Sequence, residues 1–286
     1  MARFCCFSCV GSGNDQAESR VASSPDVFTL GELTVATDRF DPQLAVKKLK
    51  GNPQQRRAEL QAEVPMLNCF EHSNIVKMIG YHDKGDEHEL FIVYELMPLR
   101  SLDLHLHGHE IGKKPLDWKT RMKVAVGVAK ALEYLHDQND PPVIYGDLKT
   151  SSILLDEQFN PKLSDFSFAK LGPTWDCRKV CGKLMGTIGY LPAEYAMTGM
   201  LSRNHDIYAF GIVLLELITG RKAIQRNLAS VKRMHIAAWK FTEIADPLME
   251  GRYPKCGLAQ VLAVAEMCVR FDATERPVIA DVVTTL

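Results

Sequence analysis

Apolar and polar positions divide this chain into two unequal parts. LAVKKL (44–49) is a short apolar run of strand length. NIVKMIGYH (74–82) and ELFIVYELM (89–97) flank the polar DKGDE (83–87) and predict a pair of buried strands. From Gln54 to Phe70 the spacing is helical, although Pro65 falls inside it. FTLGELTVATDRF (28–40) also has helical spacing, at Leu30, Leu33 and Ala36, with Phe40 one turn on. After Pro115 the character changes. Asp117 is placed to cap a long helix with apolar positions at Trp118, Met122, Ala125, Ala129 and Leu132, and His136 on the same spacing. The stretch 143–170 is strand-like and rich in turns. Asp206 to Ile218 is almost all apolar and predicts a helix buried on every side, with Gly220 placed to end it. GLAQVLAVAEMCV (257–269) and RPVIADVVTTL (276–286) predict two more helices. A small strand-rich part thus precedes a larger helical part, an α+β arrangement with no internal repeat.

Composition narrows the function. With 286 residues and 46% hydrophobic content the chain can bury a sizeable core, as one large domain or two lobes. A net charge of −1 lacks the basic surplus of a nucleic-acid binder, so no nucleic-acid partner is expected. Eight cysteines at irregular spacings, with no secretory signal, read as reduced thiols and not as a disulfide framework. The longest apolar run, Ile207 to Ile218, is shorter than a membrane span and contains Glu216. The N-terminal MARFCCFSCV sets Cys5, Cys6 and Cys9 among aromatic and apolar residues, which fits S-acylation. Ala2 excludes N-myristoylation; the bland reading is a disordered tail with incidental cysteines. Residues 11–26 read as a flexible linker, so 1–27 is taken as a tail and 28–286 as the folded domain.

The chemistry gathers at two aspartates, Asp147 and Asp165, each ending a short apolar run, with Lys149 between them. Around them lie AVKKL, AEVPML, NIVKMIGY, VYELMPLRSL, YGDLKTSSILLD, KLSDFSFAK, GTIGYLPAEYAMTG, DIYAFGIVLLELITGR and RPVIADVV. Taken together and in this order, these stretches resemble a eukaryotic protein kinase, and within that superfamily the plant receptor-like cytoplasmic kinases with cysteine-rich, acylated N-termini. The resemblance covers about residues 28–286 and implies a bilobal fold, with an N-lobe to about residue 96 and a C-lobe from about 97.

It also implies roles. Lys47 matches the strand lysine that holds ATP phosphates, and Glu63 its helical partner. Glu95 and Met97 match the hinge that binds adenine through its backbone, and Tyr94 the gatekeeper. Asp147 matches the acceptor of the substrate hydroxyl proton, Lys149 the lysine that steadies the transferring phosphate, and Thr187 the threonine that braces both. Asp165 matches the Mg²⁺ ligand. Glu194 and Arg276 match a structural ion pair, and Asp206 the residue that holds the catalytic-loop backbone.

Several positions depart from the pattern. No G-x-G-x-x-G loop lies near Lys47; DRFDPQ runs straight into LAVKKL, as if the loop and its strands were missing. Gly146 stands where an arginine precedes the catalytic aspartate, and Ser152 where an asparagine would bind a second metal. Ser152 is thus a weak metal ligand at best. Ser167 replaces the glycine after Asp165-Phe166, and PAE (192–194) stands for APE. Pro65, two residues after Glu63, is expected to kink the helix and turn Glu63 away from Lys47. The segment DCRKVCGKLM (176–185) has no Ser or Thr, which leaves Thr174 as a weaker phosphorylation candidate. WKFTEIADP is shorter than its equivalent in the family, and gaps at more than one place fit exon loss or decay of a duplicate.

The expectation is a membrane-associated, catalytically impaired pseudokinase, with weakened ATP and Mg²⁺ binding. It would act as an adaptor for receptor kinases or related cytoplasmic kinases at the cytoplasmic face of the plasma membrane. The alternative is an active serine/threonine kinase, for which Asp147, Lys149 and Asp165 speak. Two distractors carry less weight. His105, His107 and His109 alternate as in a metal-binding strand, and Cys177 and Cys181 have the spacing of a helical pair.

Overall fold

A computed structural model describes residues 26–27, 44–83, 90–108, 114–172, 180–181, 185–224 and 244–286. Cys5, Cys6, Cys9, the expected helix at 28–40, His109, Thr174 and Cys177 lie outside the described residues.

Four described strands make the N-terminal sheet: β1 (Asp26–Val27), β2 (Leu44–Lys48), β3 (Met78–His82) and β4 (Phe91–Glu95), in the order β1-β3-β4-β2. The apolar runs therefore pair as their patterning implies. β2 runs antiparallel to β4 from Leu44 opposite Glu95 to Lys48 opposite Phe91. β1 pairs parallel with β3, Asp26 opposite Gly80. The sheet thus begins inside the segment read as linker.

Helix α1 (Pro53–Cys69) starts at a capping box: the Asn52 side chain accepts from Gln55 N at 2.8 Å, and the Gln55 side chain accepts from Asn52 N at 3.1 Å. It buries Leu60, Val64 and Leu67. The helix continues through Pro65 to Cys69. Pro65 and Gln61, whose carbonyl loses its helical donor, are both exposed, so water can take the place of that bond.

Strand β5 (Arg100–Ser101) and helix α2 (Leu102–His107) lead into the helical part. His105 and His107 sit on a helix, where residues two apart point to different faces. His105 Nε2 lies 2.7 Å from the Leu99 carbonyl, and His107 Nε2 lies 3.3 Å from Glu216 Oε1, so the alternation is not a metal-binding strand.

Helix α3 (Trp118–Asp137) is capped as predicted, with Asp117 accepting from Thr120 N at 2.8 Å. Inside it Arg121 is fully buried and donates to Leu116 O, Leu217 O and Asp246 Oδ2, at 2.9, 2.7 and 2.6 Å. Short strands follow: β6 (Val143–Ile144), β7 (Ile153–Leu155), β8 (Pro161–Leu163) and β9 (Lys170–Leu171). β10 (Val180–Cys181) pairs with β11 (Met200–Leu201), and helix α4 (Ala193–Thr198) lies between them in sequence.

The core of the C-terminal part is helix α5 (Arg203–Thr219), buried along almost its whole length as its composition demands. Gly220 ends it at φ 65°, where a Cβ would lie 2.5 Å from Asp246 Oδ2. Helix α6 (Lys255–Cys268) packs on α5, and helix α7 (Ile279–Thr285) on α3.

Candidate active site

β2 and α1 bring the first cluster together. Lys47 Nζ donates to Glu63 Oε2 at 2.9 Å and to Asp165 Oδ1 at 3.2 Å. Glu63 thus aims at Lys47, and the expectation of a helix turned away by Pro65 is corrected. Two more contacts explain why. The Tyr94 hydroxyl donates to Glu63 Oε1 at 2.7 Å, Phe166 N donates to the same oxygen at 3.3 Å, and Phe166 itself is fully buried. A carboxylate held from three sides outweighs a local defect in the helix ladder. Burial pushes the Glu63 carboxyl up against the pull of Lys47. Burial also opposes the Lys47 ammonium, but the surrounding carboxylates hold it protonated well above its ordinary value.

One of those carboxylates was missed in the sequence. Glu59, one turn before Glu63, lies 2.8 Å from Lys47 Nζ. Nothing but its four-residue spacing from Glu63 could have marked it. The oxygens of Glu59, Glu63 and Asp165 lie within 4.8 Å of one another, with the lysine ammonium as their counter-ion.

Asp165 takes a left-handed conformation, φ 60° and ψ 71°. The strain therefore falls on the aspartate, while Ser167 sits in an ordinary 3-10 turn (Phe166–Phe168) that needs no glycine. The Ser167 hydroxyl instead donates to Asp165 Oδ1 at 2.8 Å. Burial works against the Asp165 charge, yet Lys47, Ser167 and Lys149 hold its carboxyl below the usual aspartate value.

The second cluster lies on the loop after β6. Thr187 Oγ1 donates to Asp147 Oδ1 at 2.7 Å, Lys149 Nζ donates to Asp147 Oδ2, and Lys149 Nζ reaches Thr187 Oγ1 at 3.1 Å. The loop hangs from Asp206, which is fully buried on α5. Its carboxylate accepts from Tyr145 N at 2.8 Å and Gly146 N at 2.9 Å, and lies 2.8 Å from His136 Nε2. Gly146 has φ +85°, and a Cβ there would lie 2.9 Å from the Phe168 carbonyl oxygen. A glycine at the position expected to hold arginine thus relieves both strain and crowding. The Ser152 hydroxyl donates to Lys149 O at 2.9 Å and accepts from Lys149 N at 3.2 Å, so it is engaged within its own turn.

Glu194 and Arg276 meet as a bidentate pair at 2.6 and 3.0 Å, and the guanidinium stacks over Tyr208 at 5.0 Å. A further buried group was not foreseen. Glu216 accepts from Tyr190 Oη at 2.5 Å and from Ala223 N at 2.8 Å, and Thr150 Oγ1 lies 3.2 Å from the same tyrosine hydroxyl.

Between the clusters and β4 lies a cleft of about 440 Å³. Ala45, Val76 and Leu154 give it apolar walls, Lys47 and Asp165 lie at its charged end, and Glu95, Leu96 and Met97 form its edge. The Glu95 side chain turns to Lys162 Nζ at 2.7 Å and Lys77 N at 2.7 Å, which leaves the backbone of 95–97 to line the cleft. An apolar slot ending in one ammonium and one carboxylate has the donor chemistry to hold a nucleotide with its divalent cation.

The pattern of the family described as protein tyrosine and serine/threonine kinase matches residues 27–286. The chain is 53% identical over 251 residues to the probable serine/threonine-protein kinase PBL7 of Arabidopsis thaliana, covering 85% of this chain and 66% of that protein. It is 51% identical over 252 residues to the serine/threonine-protein kinase PBS1 of the same plant, covering 85% and 55%. It is 45% identical over 304 residues to the probable serine/threonine-protein kinase PBL5, covering 96% and 70%. The chain spans a little over half to about two thirds of the length of these relatives. Among the described residues no helix is long and apolar enough to cross a membrane. The lysine–glutamate pair, the braced aspartate and the buried anchor below it all fall within the matched residues, and the chain belongs to the protein tyrosine and serine/threonine kinase family.

Proposed function

We propose that this chain is an ATP-dependent protein kinase acting on serine or threonine hydroxyls in plant receptor-kinase signalling, with slow turnover. The observation that carries the reading is Lys47 held on both Glu63 and Asp165 while Asp147 is braced by Lys149 and Thr187. ATP is the substrate that brings the phosphoryl group, and Mg²⁺ at Asp165 supplies charge neutralisation when bound. In this reading Glu63 aims Lys47 at the phosphates, and Asp147 accepts the proton from the attacking hydroxyl. Lys149 stabilises charge beside it, and Thr187 fixes the geometry of both. The division into an N-lobe and a C-lobe, with the cleft between, belongs to the same proposal.

A second reading, the impaired adaptor, is favoured by specific features. Ser152 has its hydroxyl engaged at Lys149, Ser167 occupies a lone pair of Asp165, and the sequence near Lys47 lacks the glycine-rich loop. Each of these would weaken ATP·Mg²⁺ binding. Purified chain assayed for ATP·Mg²⁺-dependent thermal stabilisation and for phosphoryl transfer decides between the readings. The expected result is weak transfer that disappears in Asp147→Ala. No stabilisation and no transfer would overturn the kinase reading in favour of the adaptor. Anchoring at the plasma membrane through Cys5, Cys6 and Cys9 is part of the proposal. Replacing all three by serine should abolish hydroxylamine-sensitive membrane association.

A further inference from the structure

Behind the catalytic loop, on the outer face of α3, runs a groove of about 740 Å³ that shares no residue with the cleft. Lys119, Lys123 and Lys130 line one wall, at positions i, i+4 and i+11 of the helix, which fall on a single stripe. Met122 and Val126 lie among them, and Gly127 forms the floor, where a Cβ would be 2.4 Å from Pro161 Cγ of the opposite wall. All three lysines are exposed. Lys123 Nζ donates to the Gln158 carbonyl at 2.7 Å, and none of the three has an ion-pair partner among the described residues. The fourth lysine of the groove, Lys162, is already neutralised by Glu95. The one carboxylate in the lining, Asp156, is turned to Asn160 and the backbone of its own turn.

Three exposed lysines thus lie on one line; Asp117 and Asp156 act on Lys119 and Lys123 only through space, and none of the three forms an ion pair among the described residues. Along the helix axis they stand about 6 Å and then about 10 Å apart. An extended chain rises about 3.3 Å per residue and puts alternate side chains on one face, so same-face positions two and then four residues apart come nearest to those gaps, within the reach of the lysine stems. Apolar side chains between the lysines suit the backbone and small apolar side chains of a peptide, whereas a flat membrane surface could not reach a concave floor.

We propose that this groove docks an extended acidic segment of a partner protein, its carboxylates on one face and spaced two and then four residues apart, on Lys119, Lys123 and Lys130. Docking here leaves the cleft free, so the partner can be a substrate or a scaffold.

The test is fluorescence anisotropy with the full chain and a labelled decapeptide carrying Glu at positions 3, 5 and 9 and no Ser, Thr or Tyr. Without a hydroxyl the peptide has no claim on the phosphoryl-transfer site, so failure of this proposal is separate from failure of the kinase reading. Tighter binding than to a peptide of the same composition with contiguous Glu is expected. Lys119→Glu/Lys123→Glu/Lys130→Glu should weaken binding by about tenfold or more, and added salt should weaken it in the wild type. The milder Lys119→Gln/Lys130→Gln serves if the triple variant does not fold. Equal binding of the two peptides, no binding, or binding unchanged in the variants would overturn the proposal. So would lysine-dependent binding to phosphatidylserine vesicles with no peptide preference.

Discussion

The two halves of the active site are built by different means. The Asp147 half hangs from a fully buried carboxylate, Asp206, through two backbone amides and a histidine. The Lys47 half is a balance of side-chain charges, with Lys47 and Asp165 each about one-third exposed and Glu63 alone fully buried. An anchored loop tolerates little change at its anchor. A balanced cluster redistributes when one member is altered, because any of three carboxylates can hold the lysine.

That contrast can be broken most sharply at its anchor. Asp206→Ala leaves two amides and His136 without their acceptor, and loss of a buried, partnered charge costs about 3–5 kcal/mol. Chemical denaturation should show the loss, and phosphoryl transfer should vanish with it. A variant that kept its stability would show that the loop is held elsewhere. Gly146→Ala comes next. Left-handed backbone with a side chain costs about 1–2 kcal/mol, and the carbonyl of Phe168 must move as well. Thermal unfolding should report the drop, and an arginine at this position should not restore faster transfer.

On the balanced side the effect is smaller and of opposite sign for binding. Glu59→Gln removes one competitor for Lys47 and should tighten ATP binding by up to about fivefold, the worth of one partly exposed pair. Isothermal titration reads this directly; unchanged or weaker binding would mean that Glu59 does not compete with phosphate. The smallest effect separates the halves by pH. His205 packs against Tyr195, and burial holds its pKa below the ordinary value against the pull of Asp206, Glu194 and Asp147, with Arg276 acting in the same direction as burial. The unfolded chain therefore takes up the proton first, and stability should begin to fall as pH drops below about 6.5. Asp165 has its pKa depressed instead, so its contribution is complete above the ordinary aspartate value and is lost only below about pH 4. Melting curves between pH 7.5 and 3.5 should show two successive losses, the first reduced by His205→Gln and the rest of it belonging to His72, whose pKa burial also lowers.

Local rules made much of this legible. The Asp117 cap, the all-apolar α5 and the terminating Gly220 follow from spacing and from φ preference alone. Asp147, Lys149, Asp165 and Thr187 are singled out by the resemblance to protein kinases, through the motifs that carry it. The Pro65 expectation failed because Glu63 is held by partners outside its own helix, Lys47, the Tyr94 hydroxyl and Phe166 N, which the local sequence does not show. Ser167 needs no glycine because the left-handed residue is Asp165, two positions earlier. Tyr94 with Glu63, Glu216 with Tyr190, and Arg121 with Asp246 are separated by 31, 26 and 125 residues, and no local pattern announces such meetings.

Arg121 carries a consequence for how the C-terminal part comes apart. Its guanidinium joins the start of α3, the end of α5 and the turn at Asp246 in a single planar fork. None of the three can open alone without stranding a charge in the interior. Amide exchange is therefore expected to find the three as one unit, opening together.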